Sequence, residues 1–286
     1  MSEPPPTVSL QLDSSPETLT LVRGVLGGVG ELLSLDPELL DDLKTAVSEA
    51  CNNVVMHAYG DDVGPLWVCL YIGEQQLEVI IRDEGRGIPV LAPADDRLQG
   101  VGIPIMRALA QQTAFRPRPG GGTEVWLQFA GQRDGRALYE PLGEPAPEDG
   151  WTENLSGDAI VSLSPVSIVG VVLGRLARAL AARARFSLDR FSDVYLVTDA
   201  LAAHAVKAAS EPRLGFALST DTRRLELTIG PFRGGTGSDL TADTTSEIGS
   251  ALRVLSDELG IDPRNGSEAL RVVMLDERSR ESPRLV

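Results

Sequence analysis

The chain is expected to fold as a two-layer α/β sandwich, α+β in character because its hairpins and helices are segregated, and to do so twice in tandem. Three observations carry that expectation. An opening strand is followed by two amphipathic helices, hairpin-like apolar runs are kept apart from those helices, and the second half of the chain repeats the order of the first.

The first segment, Thr7 to Leu12, alternates and reads as a strand. Ser15-Pro16-Glu17 has helix-start chemistry, a hydroxyl cap followed by Pro in the first turn, and Leu19, Val22, Leu26 and Val29 then recur at helical spacing. Asp36-Pro37-Glu38 opens a second helix in the same way, with Leu40, Leu43, Val47, Ala50, Val54 and Ala58 on one face. Leu66 to Leu70 and Leu77 to Ile81 flank Gly73-Glu74-Gln75-Gln76 and predict a hairpin. A Gly- and Pro-rich loop from Gly85 to Gly102 leads to a helix near Ile103 to Gln112, and Gly120-Gly121-Gly122 introduces a last strand, Thr123 to Phe129. The predicted order is β-α-α-β-β-loop-α-β.

Residues 1–130 make the first domain on this reading, and 131–156, poor in periodicity and ending in Pro145-Ala-Pro-Glu-Asp-Gly150, make a linker. Residues 157–275 then repeat the pattern. The hairpin Leu66–Leu70 with Leu77–Ile81 lies over Leu214–Leu218 with Leu225–Ile229 at a constant offset of 148. Val47-Ser-Glu-Ala50 lies over Val197-Thr-Asp-Ala200 at an offset of 150, and Gly121–Val125 over Gly266–Leu270 at 145. The same elements in one order at a nearly fixed offset argue for duplication. Residues 276–286 read as a disordered tail.

Composition narrows the function. With 42% hydrophobic and 23% charged residues the chain has the make-up of a globular protein. A net charge of −15 argues against direct nucleic-acid binding, which depends on Lys and Arg neutralising phosphates. The two cysteines, Cys51 and Cys69, sit in apolar runs without metal-ligand spacing and read as reduced core thiols. Met-Ser-Glu-Pro-Pro-Pro has no basic or apolar signal region, and the apolar run Val166 to Gly174 is too short to span a bilayer, so a cytoplasmic location and no membrane contact are expected.

Four features of the first domain carry chemistry. Glu49 and Asn53 are one helical turn apart and share a face. An amide oxygen suits a Mg²⁺ held mostly by phosphates and water, and a carboxylate beside it can take a proton from an attacking hydroxyl. Asp83-Glu84-Gly85-Arg86-Gly87 ends a strand: the acid can accept a hydrogen bond from an exocyclic amine, and the glycines let backbone approach a flat ring. A tight turn after an edge strand has the same composition. Gly100-Val101-Gly102-Ile103-Pro104 runs into a helix whose free amides suit phosphate. Gly122-Thr123 places a hydroxyl at the start of the last strand. Arg86 and Arg107 read as surface cations, and His57 as a residue near the negative end of its helix.

In this order and on these elements, the four features resemble the boxes of the GHKL (Bergerat) ATPase superfamily. Within it they look most like bacterial anti-sigma factors that are also serine kinases, the RsbW-like family. Glu49-Ala-Cys-Asn-Asn53-Val-Val-Met-His57-Ala-Tyr59 looks like the first box, Asp83 to Gly87 the second, Gly100 to Met106 the third and Gly122-Thr123 the fourth. The resemblance spans residues 7 to 129 and implies ATP and Mg²⁺ as cofactors. It implies that Asn53 holds the metal, Glu49 is the catalytic base, and Asp83 reads adenine with support from Thr123. Gly85, Gly87, Gly100 and Gly102 would line the nucleotide, and residues 88 to 101 would form a lid. It further implies a protein substrate, an anti-sigma-factor antagonist phosphorylated on Ser or Thr, and a sigma factor as competing partner. The other reading is an ATP-gated anti-sigma binding module with negligible turnover. No P-loop or eukaryotic-type kinase motif occurs, and the two histidines, His57 and His204, follow no dimerisation coiled coil.

The second copy departs at the chemical positions. Ala203 stands for Asn53, Pro231 for Asp83 and Glu268 for Thr123, while Asp199 remains opposite Glu49. This half is expected to keep the fold and not to bind ATP. Family members pair as homodimers, so the chain is expected either to dimerise or to supply the second face itself, as an intramolecular pseudo-dimer. The Arg-bearing helix with Arg175, Arg178, Arg183 and Arg185 offers a face for an acidic partner.

Overall fold

A computed structural model describes residues 4–87, 101–140, 142–148, 150–241, 247–264 and 266–276. The first half begins with strand β1 (Val8–Asp13), helix α1 (Thr18–Leu32) and helix α2 (Pro37–Asn53), which runs on into a π-helical turn over Val54–Ala58. Strands β2 (Pro65–Ile72) and β3 (Gln76–Asp83) form the expected hairpin. Helix α3 (Gly102–Leu109) is followed by β4 (Gln112–Pro117) and β5 (Thr123–Ala130), and a short hairpin of β6 (Gln132–Arg133) and β7 (Arg136–Ala137) closes this half.

The second half runs β8 (Ala159–Leu163), α4 (Val169–Arg183), α5 (Leu188–Ala208), β9 (Leu214–Asp221) and β10 (Arg224–Arg233). It finishes with α6 (Ser238–Thr241), α7 (Glu247–Leu255), β11 (Glu258–Arg264) and β12 (Ser267–Leu275). The ten longer strands make one sheet in the order β11-β12-β10-β9-β8-β1-β2-β3-β5-β4, antiparallel throughout. That order reads alike from either end, with β8 standing for β1, β9 for β2, β10 for β3, β12 for β5 and β11 for β4. Its centre is the pair β1–β8, where Leu10 faces Val161.

Period-two alternation explains why helices cover one face only. Val8, Leu10 and Leu12 on β1 and Leu66, Val68 and Leu70 on β2 are buried in one core with Val161 and Phe216 from the second half. Helices α1, α2, α4 and α5 supply the other layer, and the result is the two-layer sandwich. The halves also meet through α1 and α4, which approach closely at glycine: a Cβ on Gly28 would lie 3.2 Å from the Val171 carbonyl oxygen and from Arg175 Cγ. Arg175 pairs with Glu31 across this seam at 2.5 Å.

Several local expectations are refined. Helix α2 starts as predicted: Asp36 accepts from Glu38 N at 3.1 Å and Leu39 N at 3.3 Å, with Pro37 in the first turn. Helix α1 begins at Thr18, later than Pro16, because Ser15 and Pro16 turn with the Ser15 carbonyl accepting from Thr18 N. Strand β4 was not foreseen, and the helix before it stops at Leu109 rather than Gln112. The stretch 131–156 is tied to the body: Leu138 and Tyr139 join the core, and buried Arg213 (2% exposed) donates to the carbonyls of Pro6, Ala146 and Pro147. Asp276, the first tail residue, is buried and accepts from Ser187 N at 2.6 Å; residues 277–286 lie outside the described residues.

Candidate functional site

The first half gathers most of the sequence-predicted residues at one end of its helical layer. Glu49 and Asn53 lie on the last turns of α2, both half-buried, and face the start of α3. A Cβ on Gly102, the first residue of α3, would stand 2.8 Å from Glu49 Oε2 and 3.6 Å from Asn53 Oδ1. Glycine here lets the N-terminal backbone of α3 come up to both side chains. A carboxylate facing a helix N-terminus is electrostatically favoured, and the same amides suit a phosphate.

Directly after Asn53 the helix widens into its π turn, Val54–Ala58. Such turns displace backbone carbonyls from the α-helical ladder. The Ala58 carbonyl accepts from Arg86 N at 2.8 Å, and a Cβ on Gly85 would overlap it at 2.2 Å. Only glycine permits that approach. The end of α2 is thereby joined to the loop after β3, and the amide residue to the strand-end acid.

Asp83 ends β3 and is 4% exposed. Its Oδ1 accepts from Gly85 N at 2.8 Å and its Oδ2 from Thr123 N at 3.2 Å. Burial raises its pKa above the ordinary 3.8; the two N–H donors and the charge of Arg118 oppose that rise. Each carboxylate oxygen keeps a further lone pair after these bonds. Gly87 has φ +76° and abuts the carbonyl oxygen of Gly122, at 3.4 Å from a built Cβ. The second and fourth boxes therefore adjoin. Thr123 is buried at the start of β5.

Gly100 and residues 88 to 100 of the predicted lid lie outside the described residues. Arg86 is exposed and turns back over Gly60, where a Cβ would meet its Nη2 at 2.8 Å; Arg107 is exposed on α3, and His57 is exposed in the π turn. Sequence reasoning missed Tyr59 and Arg118. The Tyr59 hydroxyl accepts from Glu84 N at 2.8 Å and donates to the Pro65 carbonyl at 2.6 Å. Arg118 Nη1 donates to the Asp83 carbonyl at 2.9 Å. Tyr59 stood inside the quoted first box, whereas no pattern around Arg118 marked it.

In the second half the corresponding place is filled from within. Glu268, 6% exposed at the start of β12, accepts from Gly235 N at 3.0 Å, from the Thr236 hydroxyl at 3.1 Å and from Gly237 N. Asp199 and Ala203 are exposed on α5. The arginines of α4 have intramolecular partners: Arg175 with Glu31, Arg183 with Asp158 at 2.6 Å, and Arg178 over the Tyr195 ring at 5.6 Å. A groove of about 600 Å³ on the opposite face of the sheet is lined by Ser9, Gln11, Trp67, Tyr71 and Ser162 among others. It contains none of the predicted site residues.

Comparisons with known proteins bear on the first half of the chain. A family model described as a histidine kinase-like ATPase domain matches residues 12–129. The serine-protein kinases RsbW of Bacillus mycoides (strain KBAB4) and Bacillus cereus (strain ATCC 10987) are each 31% identical over 78 residues, covering 27% of this chain and 49% of the relative. The chain thus spans about half the length of the curated relatives it matches. A histidine kinase domain from an Erythrobacter litoralis blue-light activated histidine kinase is 29% identical, covering 32% of this chain and 44% of that one. Its TM-score of 0.27 is too low to bear on the fold. Among the described residues no helix is long and apolar enough to cross a membrane. Residues 12–129 are therefore similar to histidine kinase-like ATPase domains.

Proposed function

We propose that the first half binds ATP with Mg²⁺ and transfers a phosphoryl group to a Ser or Thr hydroxyl of an anti-sigma-factor antagonist, in competition with a sigma factor. The observation that carries this reading is the meeting of Glu49, Asn53 and Gly102 at the start of α3, joined through the π turn to the Asp83 loop. The donor set fits the group: one neutral amide oxygen is enough where triphosphate and water fill the other positions around Mg²⁺.

ATP supplies the phosphoryl group, and Mg²⁺ the charge that steadies the phosphates. Asn53 would hold the metal through its amide oxygen. Glu49 accepts the proton of the attacking hydroxyl as the new O–P bond forms and the bond to the leaving diphosphate breaks. Asp83 accepts a hydrogen bond from the adenine amine, Thr123 supports that contact, and Gly85, Gly87 and Gly102 line the nucleotide. The partner identities rest on the resemblance to the RsbW-like family, whose listed serine-protein kinases the chain matches over about half their length. The buried thiols Cys51 and Cys69 accord with a reducing, cytoplasmic location.

We further propose that residues 157–275 are a degenerate duplicate of 1–130, joined by the linker 131–156, that binds no nucleotide and completes an intramolecular pseudo-dimer. The mirrored strand order about β1–β8 and the equal 15-residue lengths of α1 and α4 support this. Radiolabelled phosphate transfer from ATP to a candidate antagonist tests the activity. Wild type should label the antagonist and Glu49→Ala should not; equal, near-zero signals from both would leave an ATP-gated binder and refute the kinase.

A further inference from the structure

The ATP reading leaves open what fixes base selectivity, and two side chains outside the proposed ligand set bear on it. The peptide unit between Asp83 and Glu84 lies where β3 ends; Asp83 still pairs with Leu66, but the next N–H has left the ladder. That unit is gripped on both sides. Its carbonyl accepts from Arg118 Nη1 at 2.9 Å, and its N–H donates to the Tyr59 hydroxyl at 2.8 Å.

Each gripping side chain is itself held. The Tyr59 hydroxyl also donates to the Pro65 carbonyl, and its ring occupies the space over Gly64, where a Cβ would lie 2.1 Å from Tyr59 Cε1. The Arg118 guanidinium sits 5.7 Å from the Trp67 ring centroid and 4.0 Å from the Glu84 carboxylate. The Asp83 carboxylate is bonded through both oxygens to Gly85 N and Thr123 N. Backbone and carboxylate are therefore both fixed, and the acceptor cannot swing.

Resting on the ATP reading above, we propose that Tyr59 and Arg118 are positioning residues that clamp the 83–84 peptide and thereby set adenine against guanine selectivity. A fixed carboxylate accepts from an exocyclic amine and repels a ring carbonyl at the same place. A carboxylate free to rotate relieves that repulsion. Discrimination by a buried polar group depends on its inability to find another partner.

The test measures ATP, GTP and inorganic triphosphate affinities, each with Mg²⁺, for the full chain and for Tyr59→Phe, Arg118→Gln and the double variant, together with melting temperatures. Tyr59→Phe keeps the ring over Gly64 and removes only the hydroxyl. The clamp predicts an ATP/GTP preference lowered about tenfold in each single variant, with triphosphate affinity unchanged, the loss of about one hydrogen bond. The double variant should lose no more than the larger single, since both act on one peptide. Uniform weakening of all three ligands alongside a lowered melting temperature would make both residues merely structural and overturn the clamp. An unchanged ATP/GTP ratio in both single variants, with wild type binding ATP, overturns the clamp alone. Wild type that fails to bind ATP removes the nucleotide reading and the clamp with it.

Discussion

Each half of the molecule buries one carboxylate beside a glycine loop, and the two halves use it oppositely. In the first, Asp83 sits at the end of β3, bonded to Gly85 N and Thr123 N, one on each oxygen. In the second, the acid has moved to the neighbouring strand: Glu268 at the start of β12 reaches into the loop after β10 and accepts from Gly235, Thr236 and Gly237. With Pro231 in the place of Asp83, Glu268 supplies an acceptor to the buried Gly237 N–H, and a buried N–H left without one costs about 1–3 kcal/mol. The longer side chain on the adjacent strand restores those bonds. Both loops have their N–H groups met by a carboxylate, while the acid stands at the end of the third strand of its half only in the first.

The largest effect that sharpens this contrast concerns the helix acids. Glu49→Gln should lower phosphoryl transfer by about a hundredfold to ten-thousandfold, the range for a lost general base, whereas the counterpart Asp199→Asn should leave the rate unchanged. Parallel single-turnover assays decide it, and a comparable loss from Asp199→Asn would show that the second half also works chemically.

A smaller effect concerns Asp83. Burial lifts its pKa above 3.8, so the folded state favours the neutral acid: that contribution to stability is present below 3.8 and is lost as pH rises through the folded pKa. Base recognition needs the ionised form, and its sign is the reverse. ATP affinity should fall as pH drops through a value raised from the ordinary 3.8, and Asp83→Asn should weaken ATP about ten- to a hundredfold and abolish that acid limb. An affinity profile flat to pH 4, or an unaltered Asp83→Asn affinity, would contradict the assignment.

Smaller still is the second carboxylate. Glu268→Ala should destabilise the chain by about 1–3 kcal/mol, seen as a melting temperature a few degrees lower, with ATP affinity unchanged. A variant with native stability would show that Glu268 is not what holds the loop.

Much of this was legible because it is local. Helix starts such as Asp36-Pro37, the alternation of Leu66 to Leu70 and the one-turn spacing of Glu49 and Asn53 are properties of neighbouring residues. What escaped depends on partners far along the chain. Strand β4, Gln112–Pro117, has a burial pattern without alternation because it pairs only with β5 at the sheet edge. The π turn after Asn53 looks like one more helical turn in sequence, since its apolar spacing, Val54 and Ala58, also suits an α-helix. The grip of Tyr59 and Arg118 on the 83–84 peptide spans 25 and 35 residues. In sequence Glu268 is only the residue that stands for Thr123; the loop geometry shows that its charge is met by backbone N–H groups.

The central claim is one nucleotide site per chain, in the first half. Titration calorimetry of the full chain with ATP and Mg²⁺ tests it most directly. The account predicts a stoichiometry of one that Asn53→Ala abolishes; a stoichiometry of two, or binding that survives Asn53→Ala, would contradict it.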